Sequence, residues 1–426
     1  MNLPLTRMET TLSNGMKVIL VRKPGFAQSM FMMGIPAGSA NRVDQMEDSQ
    51  FTHPSGCAHY LEHQMFRLNG EDVTYPLARA SARTNAYTSY EQTCYFVWTN
   101  SDPTECLKLL IQFVQNLEIS DETVNKEKGI ILSEYAQYHQ DPYSRLMRET
   151  FASLYHTHYF REEILGSPQD IQAMRAEDLK RFYDVWYDPG QLTLVGVTGR
   201  ELEPILNLIK KEEENYPRKY PVPATRIDPV EPESVCRKTV TIPMDVEMTY
   251  CALGIKLDPC KGDERQAIRE DYMLNIWLAS QFSPTNPAYQ DWINERLISA
   301  SGNLAEGDID VDHSCILVVS ESERPDAFFA AMKKILAKKE PISAEDFETQ
   351  IIKNKASAIR LADQYDNLCT QLIEGSFKGF DPLEDQKVLE SLSLEEVNDF
   401  IASLDFDRQV EVRVVPLETD EETEEE

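Results

Sequence analysis

The chain has 426 residues, 42% of them apolar, and a formal net charge of −30. Nucleic acids and anionic membranes both attract Lys/Arg patches that replace counterions, so this charge argues against either as a partner. The sequence has no run of the roughly 20 apolar residues that cross a bilayer and no apolar signal segment at its start, which predicts a cytoplasmic protein. The length exceeds the usual size of one core and predicts two domains.

The first predicted element is a β-hairpin over residues 12–18, because Asn14-Gly15 is a strong tight-turn signal between two strands.

An H-x-x-E-H pentad lies within residues 57–66, CAHYLEHQMF. On a helix, residues four apart lie on one face with Cβ atoms about 6 Å apart, so His59 and His63 can bind one divalent cation while Glu62 lies beside it. The order of the pentad is the inverse of H-E-x-x-H and defines the inverzincins. A histidine pair without a metal is the alternative if no further ligand is present.

The motif NAYTS at residues 85–89 has the alternation of a β-strand. Its period alone favours an ordinary edge strand. A substrate-binding edge strand is the alternative, since main-chain hydrogen bonds hold many peptides without reading their side chains.

A third metal ligand is expected in a different helix. Catalytic zinc takes three protein ligands and keeps one position open, so two imidazoles require one more N or O donor. The best supplier is the stretch from Glu127 to Glu134, whose flanks predict a long amphipathic helix with Ser120 as N-cap. The two glutamates lie two turns apart on one face. A solvated acidic face is the alternative for either one.

An internal repeat relates the two halves of the chain. The strand–helix pattern of residues 93–117 recurs in residues 314–338, and five prolines in residues 217–232 predict a linker between the copies. In the second copy, Gln350 and Ser357 fall opposite the two glutamates, and the helix that corresponds to the pentad has neither His nor Glu. Only the first copy can therefore bind a metal.

These motifs resemble the pitrilysin/insulinase family of inverzincin zinc metallopeptidases over nearly the whole chain. Residues 12–18, 36–39, 85–89 and 166–187 resemble the opening hairpin, the Gly-Ser segment, the N-A-x-T-S strand and the segment that closes the first domain of that family. The closest resemblance is to bacterial single-zinc members of roughly this length that pair with a homologue lacking the pentad.

The resemblance implies one Zn²⁺ per chain, held by His59, His63 and Glu134, with Glu62 as the general base. It gives Glu127 a supporting role as hydrogen-bond acceptor for an imidazole, although a solvent-facing Glu127 is equally open. It also implies that an edge strand binds the substrate, with Asn85 reaching the peptide backbone; the candidates there are Asn85, Ala86, Tyr87 and Thr88.

One departure from the family concerns the second domain. Members that work alone often carry there an Arg followed by a Tyr, which contact the substrate ends. Residues 293–310 contain Arg296 and no tyrosine. Arg296 is either a surface residue or half of that function, with the other half supplied by a partner chain. We therefore expect a heterodimer with a homologous subunit that lacks the zinc motif, and a homodimer as the lesser option.

The fold implied is α+β, with two homologous α/β-sandwich domains like those of mitochondrial processing peptidase, each an antiparallel-rich sheet with helices packed on one face. The expected limits are 1–216 for the zinc-binding catalytic domain, 217–232 for the proline-rich linker, 233–416 for the homologous non-catalytic domain and 417–426 for an acidic disordered tail.

The function implied is that of a zinc-dependent endopeptidase, which hydrolyses short or unfolded peptides in a clam-shell chamber and acts in leader-peptide removal or peptide maturation. The alternative is a non-catalytic structural subunit of a peptidase-like heterodimer. The remaining histidines fit no ligand spacing with the pentad and are expected to be structural or exposed; they are His53, His139, His156, His158 and His313.

Overall fold

The computed structural model describes residues 5–299 and 302–417. Of the predicted acidic tail, residues 417–426, only Leu417 falls within this part of the chain. The chain divides into two compact units, and each unit draws on both halves of the sequence. Unit 1 comprises the described residues up to Tyr135, Glu162–Pro229 and Ile359–Pro382; unit 2 comprises Ala136–Arg161, Val230–Ala358 and the described residues from Leu383 onward.

The strands are β1 (Thr6–Thr11), β2 (Lys17–Arg22), β3 (Ser29–Ile35), β4 (Val43–Met46), β5 (Ser49–Thr52), β6 (Arg67–Leu68), β7 (Glu71–Asp72), β8 (Ala82–Thr88), β9 (Thr93–Thr99), β10 (Thr193–Thr198), β11 (Thr225–Arg226), β12 (Thr239–Met244), β13 (Thr249–Lys256), β14 (Ala305–Ile309), β15 (Ser314–Ser322) and β16 (Gln409–Pro416). The helices are α1 (Cys57–Gln64), α2 (Thr74–Arg79), α3 (Thr104–Val114), α4 (Asp121–Gln140), α5 (Pro142–Leu154), α6 (Pro168–Ala173), α7 (Ala176–Trp186), α8 (Leu202–Glu213), α9 (Glu264–Phe282), α10 (Tyr289–Asn294), α11 (Pro325–Lys338), α12 (Ala344–Asp363), α13 (Tyr365–Lys378), α14 (Asp385–Glu390) and α15 (Leu394–Ser403). Short 3₁₀ turns occupy Tyr159–Arg161, Pro189–Gln191 and Pro382–Glu384.

Unit 1 is built on a six-stranded sheet in the order β1-β2-β10-β3-β9-β8. β2 and β10 are parallel, and the other neighbouring pairs are antiparallel. The predicted hairpin over residues 12–18 joins β1 to β2. Within the described residues β8 pairs on one side only, so its outer edge keeps backbone groups that can pair with another strand.

One face of this sheet carries the main core of unit 1. Alternate residues of β2 and β3, such as Leu20 and Met33, are fully buried together with Leu110 of α3 and Phe182 of α7. The period-2 alternation of a strand sends these side chains to one face, where the helices that follow in the first half of the chain cover them.

The second face of the sheet is covered by α13, which comes from the second half of the chain. α13 packs on β3 and β10. Gly34 in β3 permits this approach, because a Cβ at that position would lie 2.4 Å from Ile373 Cγ2.

Unit 2 is built on a five-stranded sheet in the order β12-β16-β13-β15-β14, in which only β12 and β16 are parallel among neighbouring strands. Its own helices α9, α11 and α15 bury Leu274, Phe328 and Val397 against one face.

The other face of that sheet carries α5, from the first half of the chain. Leu146 of α5 packs with Ala252 and Val412. A Cβ at Gly254 in β13 would lie 3.0 Å from Thr150 Cγ2 of α5, so a strand glycine again admits the incoming helix.

The two sheets have the same topology. The order β2-β10-β3-β9-β8 matches β12-β16-β13-β15-β14 strand for strand, including the one parallel pair. This confirms the predicted α+β fold of two homologous sandwiches. Each sandwich also receives one helix from the other half of the chain on its second face. Within the described residues, no helix has the length and apolar composition that a membrane span requires.

Candidate metal centre and active site

The pentad forms α1, as its spacing predicted. The rings of His59 and His63 lie on one face of this helix with their centroids 4.7 Å apart. The side chain of His59 is buried, whereas that of His63 is 22% exposed. One ring is therefore held in the interior, and the other is partly exposed to solvent.

The start of α1 is fixed by a close contact between two backbones. Gly56 precedes the helix with a φ of 76°, in the left-handed region, and a Cβ there would lie 2.1 Å from Leu165 O. Gly166 on the other side of the contact has a φ of 86°, and a Cβ there would lie 2.4 Å from Ser55 O. Only glycine fits at these two positions without moving the helix that carries the histidines.

The candidate third ligand comes from α4. Glu134 Oε2 lies 3.7 Å from His59 Nε2 and 3.5 Å from His63 Nε2, so both imidazoles face the same carboxylate oxygen. Glu127, two turns earlier on the same face, places its Oε2 3.4 Å from His63 Nδ1. The structure thus brings His59, His63 and Glu134 together and sets Glu127 behind one of the rings.

Two local features position α4. Its first turn is capped reciprocally, since Ser120 Oγ accepts the Thr123 N–H at 3.2 Å and the Ser120 N–H donates to Thr123 Oγ1 at 3.1 Å. This confirms the predicted role of Ser120. The buried Tyr60 hydroxyl of α1 then donates to Val124 O at 2.6 Å, which joins the two helices that carry the donors.

The electrostatics of the site favour a cation. Burial, aided by the neighbouring His63, lowers the pKa of His59 to about 3. At neutral pH the buried ring is therefore uncharged and keeps a lone pair for a metal. Two imidazole nitrogens and a carboxylate oxygen at 3.5 and 3.7 Å form a donor set that fits zinc, whose tetrahedral ligands lie about 3.3 Å apart.

Glu62 lies beside this donor set and is held from the sheet. The Thr88 hydroxyl donates to Glu62 Oε2 at 2.7 Å. Burial raises the pKa of the Glu62 carboxyl, while the Thr88 hydrogen bond and His63 oppose the rise and Glu134 adds to it. A raised pKa makes this carboxylate a better proton acceptor than an ordinary glutamate.

The predicted substrate strand is β8, the edge strand of the unit 1 sheet. Asn85 is exposed, and its side-chain oxygen accepts the Ala86 N–H at 3.0 Å. Tyr87 points to the α13 side, where its hydroxyl accepts from Gln92 Nε2 at 2.9 Å. Thr88 points to the α1 side. The four candidates thus share one edge, but their side chains face different ways.

Arg296 belongs to unit 2 and is not part of this cluster. It follows α10 with a φ of 59°, its side chain is 70% exposed, and it donates to Glu323 at 2.7 Å. A substrate contact through Arg296 stays a prediction.

A second His/Asp cluster lies in unit 2, where sequence reasoning identified no site. His158, Asp312 and His313 each place one donor atom within 4.8 Å of the others. The Phe160 N–H donates to His158 Nδ1 at 3.3 Å. His313 lies between two carboxylates, with Nδ1 2.5 Å from Asp312 Oδ1 and Nε2 2.9 Å from Asp308 Oδ2.

The charge of His313 distinguishes this cluster from the first. Burial alone would lower its pKa, but hydrogen bonds to Asp308 and Asp312 outweigh burial and raise the pKa to about 10. An imidazole protonated on both nitrogens has no lone pair for a metal. The cluster in unit 2 is therefore an ion-paired network, and the donor set on α1 and α4 is the better metal centre.

Comparisons with known proteins agree with the fold. Residues 17–168 match the insulinase domain of peptidase family M16, and residues 173–274 match the inactive domain of peptidase M16. An uncharacterized zinc protease of Bacillus subtilis, YmfH, is 25% identical over 409 residues, which are 95% of this chain and 95% of that protein. The beta subunit of the mitochondrial-processing peptidase of Neurospora crassa is 26% identical over 223 residues, 51% of this chain and 45% of that protein.

A crystal structure of an M16-like peptidase from Alicyclobacillus acidocaldarius matches with a TM-score of 0.90 and 26% identity, over 98% of this chain and 100% of that one. The comparisons therefore place the chain in the class of the peptidases that share this fold. Within this class, the chain belongs to the insulinase family, peptidase family M16. The family predicted from the motifs is thereby confirmed.

Proposed function

We propose that the chain is a zinc-dependent endopeptidase that hydrolyses short or unfolded peptides. The observation that carries the proposal is the convergence of His59 Nε2, His63 Nε2 and Glu134 Oε2 next to the carboxylate of Glu62. One Zn²⁺ per chain would take these three donors and leave a fourth position open.

Bound zinc would supply a Lewis acid that polarises the scissile carbonyl and lowers the pKa of a water in the open position. Glu62 would accept the proton of the attacking water and pass it to the leaving amine. Glu127 would accept the His63 Nδ1–H, which fixes the tautomer and leaves the Nε2 lone pair directed toward Glu134.

The peptide would bind as an added strand on the outer edge of β8. Backbone N–H and C=O groups of Asn85, Ala86 and Tyr87 would pair with the substrate, and the exposed Asn85 side chain could reach its main chain. Pairing of this kind requires an extended substrate and depends little on the identity of its side chains. It suits a role in leader-peptide removal or peptide maturation.

A digestion assay tests the proposal. We expect the purified chain to cleave a pool of unstructured peptides, to stop when zinc is chelated and to recover when Zn²⁺ is returned. Glu62→Gln keeps the size of the side chain and removes the base, so we expect at least a hundredfold loss of kcat. Glu122→Gln, at an exposed position of α4, is the matched control. Chelator-insensitive cleavage, or full activity of Glu62→Gln, would contradict the proposal.

The alternative is a non-catalytic subunit. The relative of this chain from Neurospora crassa is named as a subunit, and residues 293–310 of this chain contain Arg296 but no tyrosine. For these two reasons we propose a heterodimer with a homologous chain that lacks the pentad. Co-expression followed by light scattering would measure the stoichiometry. Cleavage that requires the partner but not Glu62 would favour the non-catalytic role.

The cytoplasmic location also stays a prediction, which cell fractionation tests.

A further inference from the structure

We propose that Thr88 is a positioning residue that orients the general base. Its hydroxyl is the one hydrogen-bond donor to Glu62 among the described residues, at 2.7 Å from Oε2. The proposal rests on the proposed function of Glu62 and assigns Thr88 a side-chain role in place of the substrate contact expected from the sequence.

The chemistry of the contact fixes its direction. An ionised carboxylate can only accept, so the Thr88 hydroxyl donates and its proton is directed at Oε2. A glutamate side chain rotates about three bonds, and a fixed donor at one oxygen removes much of that freedom. The other oxygen, Oε1, is then left for the proton of the attacking water.

The position of Thr88 in the sheet makes this donor rigid. Thr88 is the last residue of β8 and pairs with Thr93 of β9. The turn that follows is closed by the Ser89 N–H, which donates to Gln92 O at 2.8 Å. The hydroxyl is thus presented by a paired backbone and not by a free loop.

The same strand would receive the peptide. A substrate that adds to the outer edge of β8 extends the sheet of which Thr88 is a part, next to the carboxylate that Thr88 holds. The backbone of β8 would pair with the substrate, whereas the side chain of Thr88 holds the base. This predicts an effect of Thr88 on turnover and not on peptide affinity.

The competing explanation is purely structural, because a partly buried carboxylate also requires a donor for stability. Thr84 provides the matched control. It lies on the same face of β8, and its hydroxyl donates to Phe96 O at 2.9 Å, a backbone acceptor away from Glu62. Loss of either hydroxyl removes one hydrogen bond from the same strand, but only Thr88→Val releases the base.

The test compares Thr88→Val, Thr88→Ser and Thr84→Val in the full chain, with Thr88→Ala as a second hydroxyl-free variant in case valine disturbs folding. Peptide kinetics, zinc affinity by chelator competition and the thermal midpoint are measured for each. We expect Thr88→Val and Thr88→Ala to lower kcat ten- to a hundredfold with KM and zinc affinity within threefold of wild type. Thr88→Ser should restore kcat to within threefold, and Thr84→Val should leave it unchanged.

Wild-type kcat in both hydroxyl-free variants would overturn the proposal, as would a loss of activity that only follows lost zinc or lost folded protein. A wild-type chain without chelator-sensitive cleavage would instead overturn the proposed function, and the role of Thr88 with it. The two failures are therefore distinguishable by the wild-type control.

Discussion

Two buried histidines of the chain differ in charge at neutral pH, because His59 is uncharged and His313 is protonated, although burial acts on both in the same direction. His59 is 7% exposed and His313 is 4% exposed. The imidazole neighbour of His59 disfavours protonation, whereas the two carboxylates beside His313 favour it. Burial is the larger cause at His59, whereas the two carboxylates outweigh burial at His313, so only the His59 ring is left uncharged for a metal.

The charge of His313 predicts a pH-dependent contribution to stability. Its pKa rises from 6.5 to about 10 on folding, so the stabilisation is complete below pH 6.5 and is lost as the pH rises through 10. We expect His313→Gln to lower the free energy of unfolding by about 2–4 kcal/mol at pH 6. This is less than the full pKa shift would give, because Asp308 is partly exposed and solvent screens its attraction to His313. The difference from wild type should shrink between pH 6.5 and 10 in denaturant titrations.

His156→Gln is the control for this experiment, because the His156 ring bonds to the Ser234 hydroxyl and not to a carboxylate. A difference between wild type and His313→Gln that grows with rising pH would contradict the assigned charge.

Single elements with local signals were predictable, and contacts between elements were not. The pentad helix, the cap of α4 and the hairpin turn all follow from residues within a few positions of one another. The hydroxyls of Tyr60 and Thr88 act instead on Val124 and Glu62 in other elements. The acceptor of such a hydroxyl cannot be predicted from the sequence, because it depends on how the elements pack against one another. The same limit hid the His158–His313 cluster, whose members are far apart in the chain.

The contact between α1 and α4 leads to a prediction about metal affinity. Tyr60→Phe removes only the hydroxyl that donates to Val124 O. Tyr183→Phe is the control, because its hydroxyl donates to Val114 O at 3.4 Å and does not join the two helices that carry the metal donors. Each should lower the stability of the metal-free chain by about 1 kcal/mol. Only Tyr60→Phe should also weaken zinc binding, by three- to tenfold, in competition with a chromophoric chelator. Equal zinc affinities in the two variants would show that the hydroxyl does not align the helices.

The backbone contact at the start of α1 leads to a second prediction at this scale. Gly56 and Gly70 have the same φ of 76°, but a Cβ at Gly70 meets nothing within 4 Å. Gly70→Ala therefore measures the cost of the left-handed backbone alone, about 1 kcal/mol. Gly56→Ala adds a clash with Leu165 O, and we expect a total of about 2–4 kcal/mol with a tenfold or greater loss of zinc affinity. Thermal unfolding and chelator competition measure both, and equal effects of the two substitutions would exclude a role for the contact.

At the scale of the whole molecule, the sequence could not indicate that α5 and α13 each pack on the sheet formed by the other half of the chain. The repeat and the linker follow from composition and from the similarity of the halves. The amphipathic pattern of α13, however, is the same whichever sheet it covers, and only the assembled fold places it on β3 and β10. Residues 1–216, the predicted catalytic domain, do not include α13. The compact unit around the site does include it.

This difference can be tested by expressing residues 1–216 alone. Without α13, the second face of the sheet would expose side chains that are buried in the whole chain, among them Met32 and Val195. An apolar surface of this kind favours association and binding of hydrophobic dyes. We expect the isolated segment to aggregate or to unfold without cooperativity, and co-expression with residues 233–417 to give a stable one-to-one complex that binds zinc. A monomeric segment 1–216 with cooperative unfolding and full zinc affinity would show instead that the sheet does not depend on the helix it receives.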